Sequence, residues 1–119
     1  DVSANAADPK AALRIYPNVF RQSLERENRL CLGSFMSAEY DDLPASVTKE
    51  VQTFSDVNVA WLEKRLTEAG IVGPADSEDR ARAIFAAVAG AQLLARSRSD
   101  ISLFDTLINS YRTAGLLPT

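Results

Sequence analysis

The sequence contains no histidine, one cysteine (Cys31) and one tryptophan (Trp61). It also has no apolar run approaching the roughly 20 residues that span a bilayer. Each scarcity excludes something. Without histidine, the commonest general base and metal ligand is missing, and the Glu-x-x-His pairs of carboxylate-bridged di-iron bundles cannot be assembled. There is no glycine-rich phosphate loop and no Ser-His-Asp set. Neither catalysis nor a cofactor is expected. A single thiol cannot close an internal disulfide, which fits a reducing compartment. The opening stretch DVSANAADPK lacks the basic-then-apolar order of a secretory signal. The expectation is a cytoplasmic protein with no membrane contact.

What is present is ordinary for a single folded domain. The 119 residues are 46% apolar and 24% charged, with 13 basic against 16 acidic side chains and a net charge of -3. That length suffices for one domain with its own core. The cations are scattered among acids rather than gathered in a stripe, so this chain alone is a poor nucleic-acid binder.

No alternating strand pattern occurs, and the punctuation marks helix starts and stops throughout. Asp8 followed by Pro9 reads as an N-cap and first-turn proline, opening a helix to about Arg26 with Leu13, Pro17, Phe20 and Leu24 on one face. Pro17 predicts either a kink inside that helix or a fresh start, with Asp8–Tyr16 a separate turn. A short helix is expected over Leu30–Tyr40. A long one follows the DDLP segment to about Ala69 and stops at Gly70, a good C′ residue. At about 1.5 Å per residue it reaches roughly 39 Å. A fourth runs from about Ser77 to Ser97, capped by Asp76 or Ser77. A fifth, capped by Ser99, Asp100 or Ser102, ends near Ala114. The fold class is therefore all-α, a five-helix antiparallel bundle over residues 8–117, preceded by a linker remnant over 1–7.

Two helical surfaces stand out. The segment RAIFAAVAGAQLLAR is apolar nearly all round, so it must be covered on more than one side. Ala83, Ala87, Gly90 and Leu94 form a narrow strip of mostly small side chains that lets another helix come close. The last helix carries Leu103, Phe104, Leu107, Ile108 and Tyr111, more apolar surface than one neighbour buries. A symmetric dimer, each protomer giving two helices, is one reading; a wholly intramolecular core is the other.

The second surface lies on VQTFSDVNVAWLEKRL, where Val51, Phe54, Asn58, Trp61, Leu62 and Leu66 share a face and only Asn58 is polar. Glu39 sits similarly between Met36 and Leu43, and Gln92 follows Phe85 and Ala89. Burying an unpaired amide costs a few kcal/mol and a carboxylate more. Glu39, Asn58 and Gln92 thus point toward an interior lined by Phe20, Phe35, Met36, Phe54 and Trp61. An apolar cavity with a few convergent polar groups is the usual makeup of a small-molecule site. The competing account is that these groups bond one another, a carbonyl freed near Pro17, or the surface. Cys31, beside Arg29 at a helix start, reads as a small buried residue, with a redox-sensitive thiol as the less favoured alternative.

The stretch RLCLGSFMSAEYDDLPASVTKEVQTFSDVNVAWLEKRLTEAGIVG, followed by AAVAGAQLLAR, resembles the C-terminal domain of TetR-family transcriptional regulators. The likeness covers about Asp8 to Leu117, and its most specific parts are CLGSFMSAEY, WLEKRLTEAG and GAQLLAR. It implies an effector-binding and dimerisation domain of a repressor. The pocket would be formed by Phe20, Phe35, Met36, Glu39, Phe54, Asn58, Trp61 and Gln92 and hold a small apolar or aromatic effector. The dimer interface would fall on the last two helices through Ala83, Ala87, Gly90, Leu94, Phe104, Ile108 and Tyr111. Operator DNA would be met only through an N-terminal helix-turn-helix that these residues do not include, as though the chain were cut from a longer regulator. Ala89 departs from the relatives' usual acidic or amide side chain, so no pocket role is transferred to it. The rival from another class is a helical interaction module with a dry interior and no ligand.

Overall fold

The computed structural model describes residues 8–26 and 45–119. Among them every regular element is an α-helix: α1 (Pro9–Ile15), α2 (Pro17–Glu25), α3 (Ala45–Glu68), α4 (Ser77–Ser97) and α5 (Ile101–Thr113). None is long and apolar enough to cross a membrane. The helix expected over residues 30–40 lies outside the described residues, and with it Cys31, Phe35, Met36 and Glu39.

The choice left open at Pro17 resolves as two helices joined through Tyr16. Asp8 caps α1 by accepting from the Ala11 amide at 3.1 Å, with Pro9 in the first turn. Pro17 has no N–H to return to α1, so it opens α2 instead, while Tyr16 keeps helical angles and serves both segments. The carbonyl of Arg14, next to this break, accepts from Arg112 Nη2 at 2.9 Å, which ties the end of α1 to α5.

Three helix ends close in the same way. After α3, the Ile71 amide donates to the Leu66 carbonyl and the Gly70 amide to Thr67, with Gly70 at φ 71. Gly115 repeats the motif after α5 at φ 85. After α4 the left-handed position is held by Ser99 at φ 49 rather than by glycine. Asp100 then starts α5, accepting from the amides of Ser102 and Leu103. Asp76 precedes α4 without a side-chain cap bond, and Ser77 turns its hydroxyl back to the Pro74 carbonyl at 3.1 Å.

At about 1.5 Å per residue α3 is roughly 36 Å long, close to the molecule's greatest extent of 39 Å. It packs on α4 and α1, and α4 and α5 pack on each other and on α2. The core between them holds Leu13, Phe20, Leu62, Leu66, Ile84, Val88 and Phe104, all at most 1% exposed. Burying each such side chain contributes about 1.5–3 kcal/mol. On α4 the inward line is Ala81, Ile84, Val88, Ala91, Gln92 and Ala95. Ala83 and Leu94 face outward, and Ala87 and Gly90 are partly covered.

Candidate functional site

The one polar position on the apolar face of α3 has a partner within the chain. Asn58 Oδ1 accepts from the Tyr16 hydroxyl at 2.8 Å, and Asn58 Nδ2 donates to the Phe54 carbonyl one turn back at 2.9 Å. Tyr16 sits there because the α1–α2 junction at Pro17 carries it against α3. Its ring stacks on Trp61, centroids 5.8 Å apart at 19°. Gln92 is fully buried, and its Nε2 donates to the Phe20 carbonyl at 2.9 Å, joining α4 to α2. A glutamine in the core is tolerated because that bond offsets its desolvation. Both amides therefore connect helices.

Around them runs a chain of rings. Tyr16 meets Phe20 at 5.5 Å, Phe20 meets Phe85 edge-on at 6.4 Å, and Phe85 meets Phe54 at 6.1 Å. Such tilted pairs contribute about 0.5–1.5 kcal/mol beyond the area they bury. Phe20 and Gln92 lie inside, whereas Phe54, Asn58, Trp61 and Phe85 are only partly covered. Four of the expected pocket residues, Phe20, Phe54, Asn58 and Trp61, thus belong to one group with Gln92 behind it. Phe35, Met36 and Glu39 lie outside the described residues.

Three members were missing from the expected set. Tyr16 and Phe85 are the rings that link the others. Arg65 continues the row Phe54, Asn58, Trp61 along the same face of α3, and the four-residue step from Trp61 was the signal for it. Only 8% of Arg65 is exposed, and its guanidinium carbon stands 5.2 Å from the Trp61 ring centroid. Nη1 pairs with Glu68 at 2.6 Å, while the buried Nε has no hydrogen-bond partner.

The expected dimer residues divide. Phe104 and Ile108 are buried within the protomer at 1% and 3% exposure, and Tyr111 is partly buried. Burial raises the Tyr111 phenol above its ordinary value. On α4, Leu94 is 51% exposed and Leu93 39%, beside exposed Ala83. A methyl group placed on Gly90 would meet no other group within 4 Å, so the backbone there lies open.

Several other charged groups join or cap helices. Arg21 crosses from α2 to clasp both oxygens of Asp105 on α5, at 2.8 and 2.9 Å, and its Nη1 reaches Glu25. That hydrogen bond holds the Asp105 carboxyl below its ordinary value and the Arg21 guanidinium above its own. A groove of about 230 Å³ lies beside this pair, over Pro17, Phe104 and Ile108 with Asn18, Asn109 and Arg112 on its walls. Asp100 is also held low, first by the Ser102 hydroxyl and then by the backbone amides it caps. Carboxylates shifted downward remain anions rather than proton donors. Among the described residues no three His, Cys, Asp or Glu side chains converge as a metal ion would require. No family model, curated protein or solved structure matches the chain.

Proposed function

We propose that this chain is the effector-binding and dimerisation domain of a TetR-like transcriptional repressor. In this reading a small apolar or aromatic effector modulates operator binding by a helix-turn-helix outside these residues. One observation carries the reading: two unlike surfaces stand on consecutive helices of one small bundle. A partly covered aromatic row, Phe54, Trp61 and Phe85, spans α3 and α4. The strip Ala83, Ala87, Gly90 and Leu94 lies along α4, away from its buried line. The first suits an apolar guest, and the second suits a helix of a second copy, since small side chains let backbones approach closely.

An effector that seats against Trp61 and shifts its stack on Tyr16 couples to α1 through the same residue that joins α1 to α2. Repositioning α1 is the means by which occupancy would reach a DNA-reading segment, by favouring one of two arrangements. Trp61 is the sole tryptophan, so its emission reports the site directly. Titration with a panel of small aromatic and aliphatic compounds is expected to give saturable changes in that emission. Sedimentation at micromolar concentration is expected to give a dimer, which Leu94→Asp converts to a monomer. A monomeric chain whose tryptophan answers to nothing in the panel overturns the proposal.

A second reading is favoured by the closed amides. Asn58 and Gln92 both bond within the chain, as in a helical interaction module with a dry interior. The two readings part on the tryptophan titration, because a module binds partners by its surface and leaves Trp61 silent.

A further inference from the structure

Within the aromatic group, the amides that were expected to orient an effector are engaged, Asn58 by Tyr16 and the Phe54 carbonyl and Gln92 by the Phe20 carbonyl. Among the described residues, one side-chain polar atom there is both buried and without a hydrogen-bond partner: Arg65 Nε. From this we infer that Arg65 is the recognition residue of the site and that its ligand class is a carboxylate with an apolar or aromatic body. The inference rests on the effector-binding reading above and names the chemistry that reading lacks.

The geometry favours an anion. A guanidinium offers a fixed fork of five N–H donors and matches a carboxylate two bonds at a time. Glu68 takes Nη1, which leaves the edge formed by Nε and Nη2, a two-donor edge of the right width. A neutral acceptor satisfies one of those donors, whereas a carboxylate offers two oxygens and satisfies both. The guanidinium carbon stands 5.2 Å from the Trp61 ring centroid, and Trp61 stacks on Tyr16. Arg65 therefore stands next to the row of rings, the apolar surface closest to a ligand that it holds. An arginine nine-tenths buried with an unpaired N–H is costly unless something completes it.

A purely structural Arg65, packed on Trp61 and favourably placed in the last turn of α3, would show no preference between an acid and its amide. The test uses that difference. Phenylbutyrate and phenylbutyramide share one apolar body and differ in charge, and each is titrated into the full chain while Trp61 emission is followed. The acid is expected to bind at least about tenfold more tightly, as a charge-assisted two-bond contact implies. In Arg65→Gln that ratio is expected to fall to about one, chiefly through loss of affinity for the acid. Arg65→Lys keeps a cation but loses the planar edge, so it is expected to fall between; it also serves as the readout should the glutamine variant not fold. Equal binding of acid and amide, or an acid preference that survives Arg65→Gln, overturns the inference and leaves the effector site standing. Silence toward both compounds overturns the inference, while the effector-binding reading is judged by the wider panel and by sedimentation.

Discussion

Along α4 the inward line Ala81, Ile84, Val88, Ala91 and Ala95 is wholly buried, while one step round the helix Ala83 and Leu94 stand in solvent. Both faces are rich in alanine and both are apolar, so composition does not separate them. What separates them is bulk and partner. Ile84 and Val88 fill the centre of the bundle, whereas a methyl group added at Gly90 would meet nothing within 4 Å. Apolar character tells which residues leave water readily, and packing tells against what. A helix apolar nearly all round thus serves one core within the protomer and still carries apolar side chains on a second, exposed face.

Changes on the two faces of α4 sharpen that contrast. Ile84→Ala opens a hole at the centre of the bundle and is expected to cost about 2–5 kcal/mol, read from the denaturation midpoint. Gln92→Leu keeps the volume but loses the bond to the Phe20 carbonyl, an expected loss of about 1 kcal/mol. If that variant proves more stable than the parent, the amide is a burden that packing could replace.

Acid probes the seam between α2 and α5. The folded-state value of Asp105 is lowered by Arg21, so its stabilisation is present above the unfolded value near 3.8 and is lost as pH falls through the folded one. The side chain is 45% exposed, so solvent limits the pair to under about 1 kcal/mol. Asp105→Asn is expected to flatten the dependence of stability on pH below that value, with a residual slope from Asp100. An unchanged slope would show that the clasp adds no net stability. On the outer face, Leu94→Asp is expected to alter the stability of the lone protomer by less than about 0.5 kcal/mol, read at a concentration too low for association. An effect on unfolding as large as that of Ile84→Ala would erase the distinction between the faces.

Much of the helical layout was legible beforehand. Asp8–Pro9, Gly70, Asp76–Ser77 and Asp100 are local signals whose action needs no distant neighbour, and the described helices begin and end at them or within a residue or so. Pro17 was legible as a break but not as a choice between kink and restart, because both satisfy the local rules for proline and only the packed arrangement separates them. The candidate site was legible only in part. Phe54, Asn58 and Trp61 announce themselves by their spacing on one helix. The role of Asn58 did not, since its partner Tyr16 lies 42 residues away. Arg65 was not among the expected residues, because a charged side chain ordinarily reads as solvated surface and its burial depends on how α3 packs.

Sequence alone determined that the described residues are helical, where most of their helices start and stop, and that these 119 residues hold no histidine and no internal disulfide. Those properties rest on short-range capping, periodicity and composition, which act within a few residues. Only the tertiary structure decided that Asn58 and Gln92 tie helices together, that Phe104 and Ile108 lie inside while Leu94 lies outside, and that Arg65 is buried beside Trp61. Each of these depends on which distant side chain comes within about 3–4 Å, and that is settled only when the helices pack.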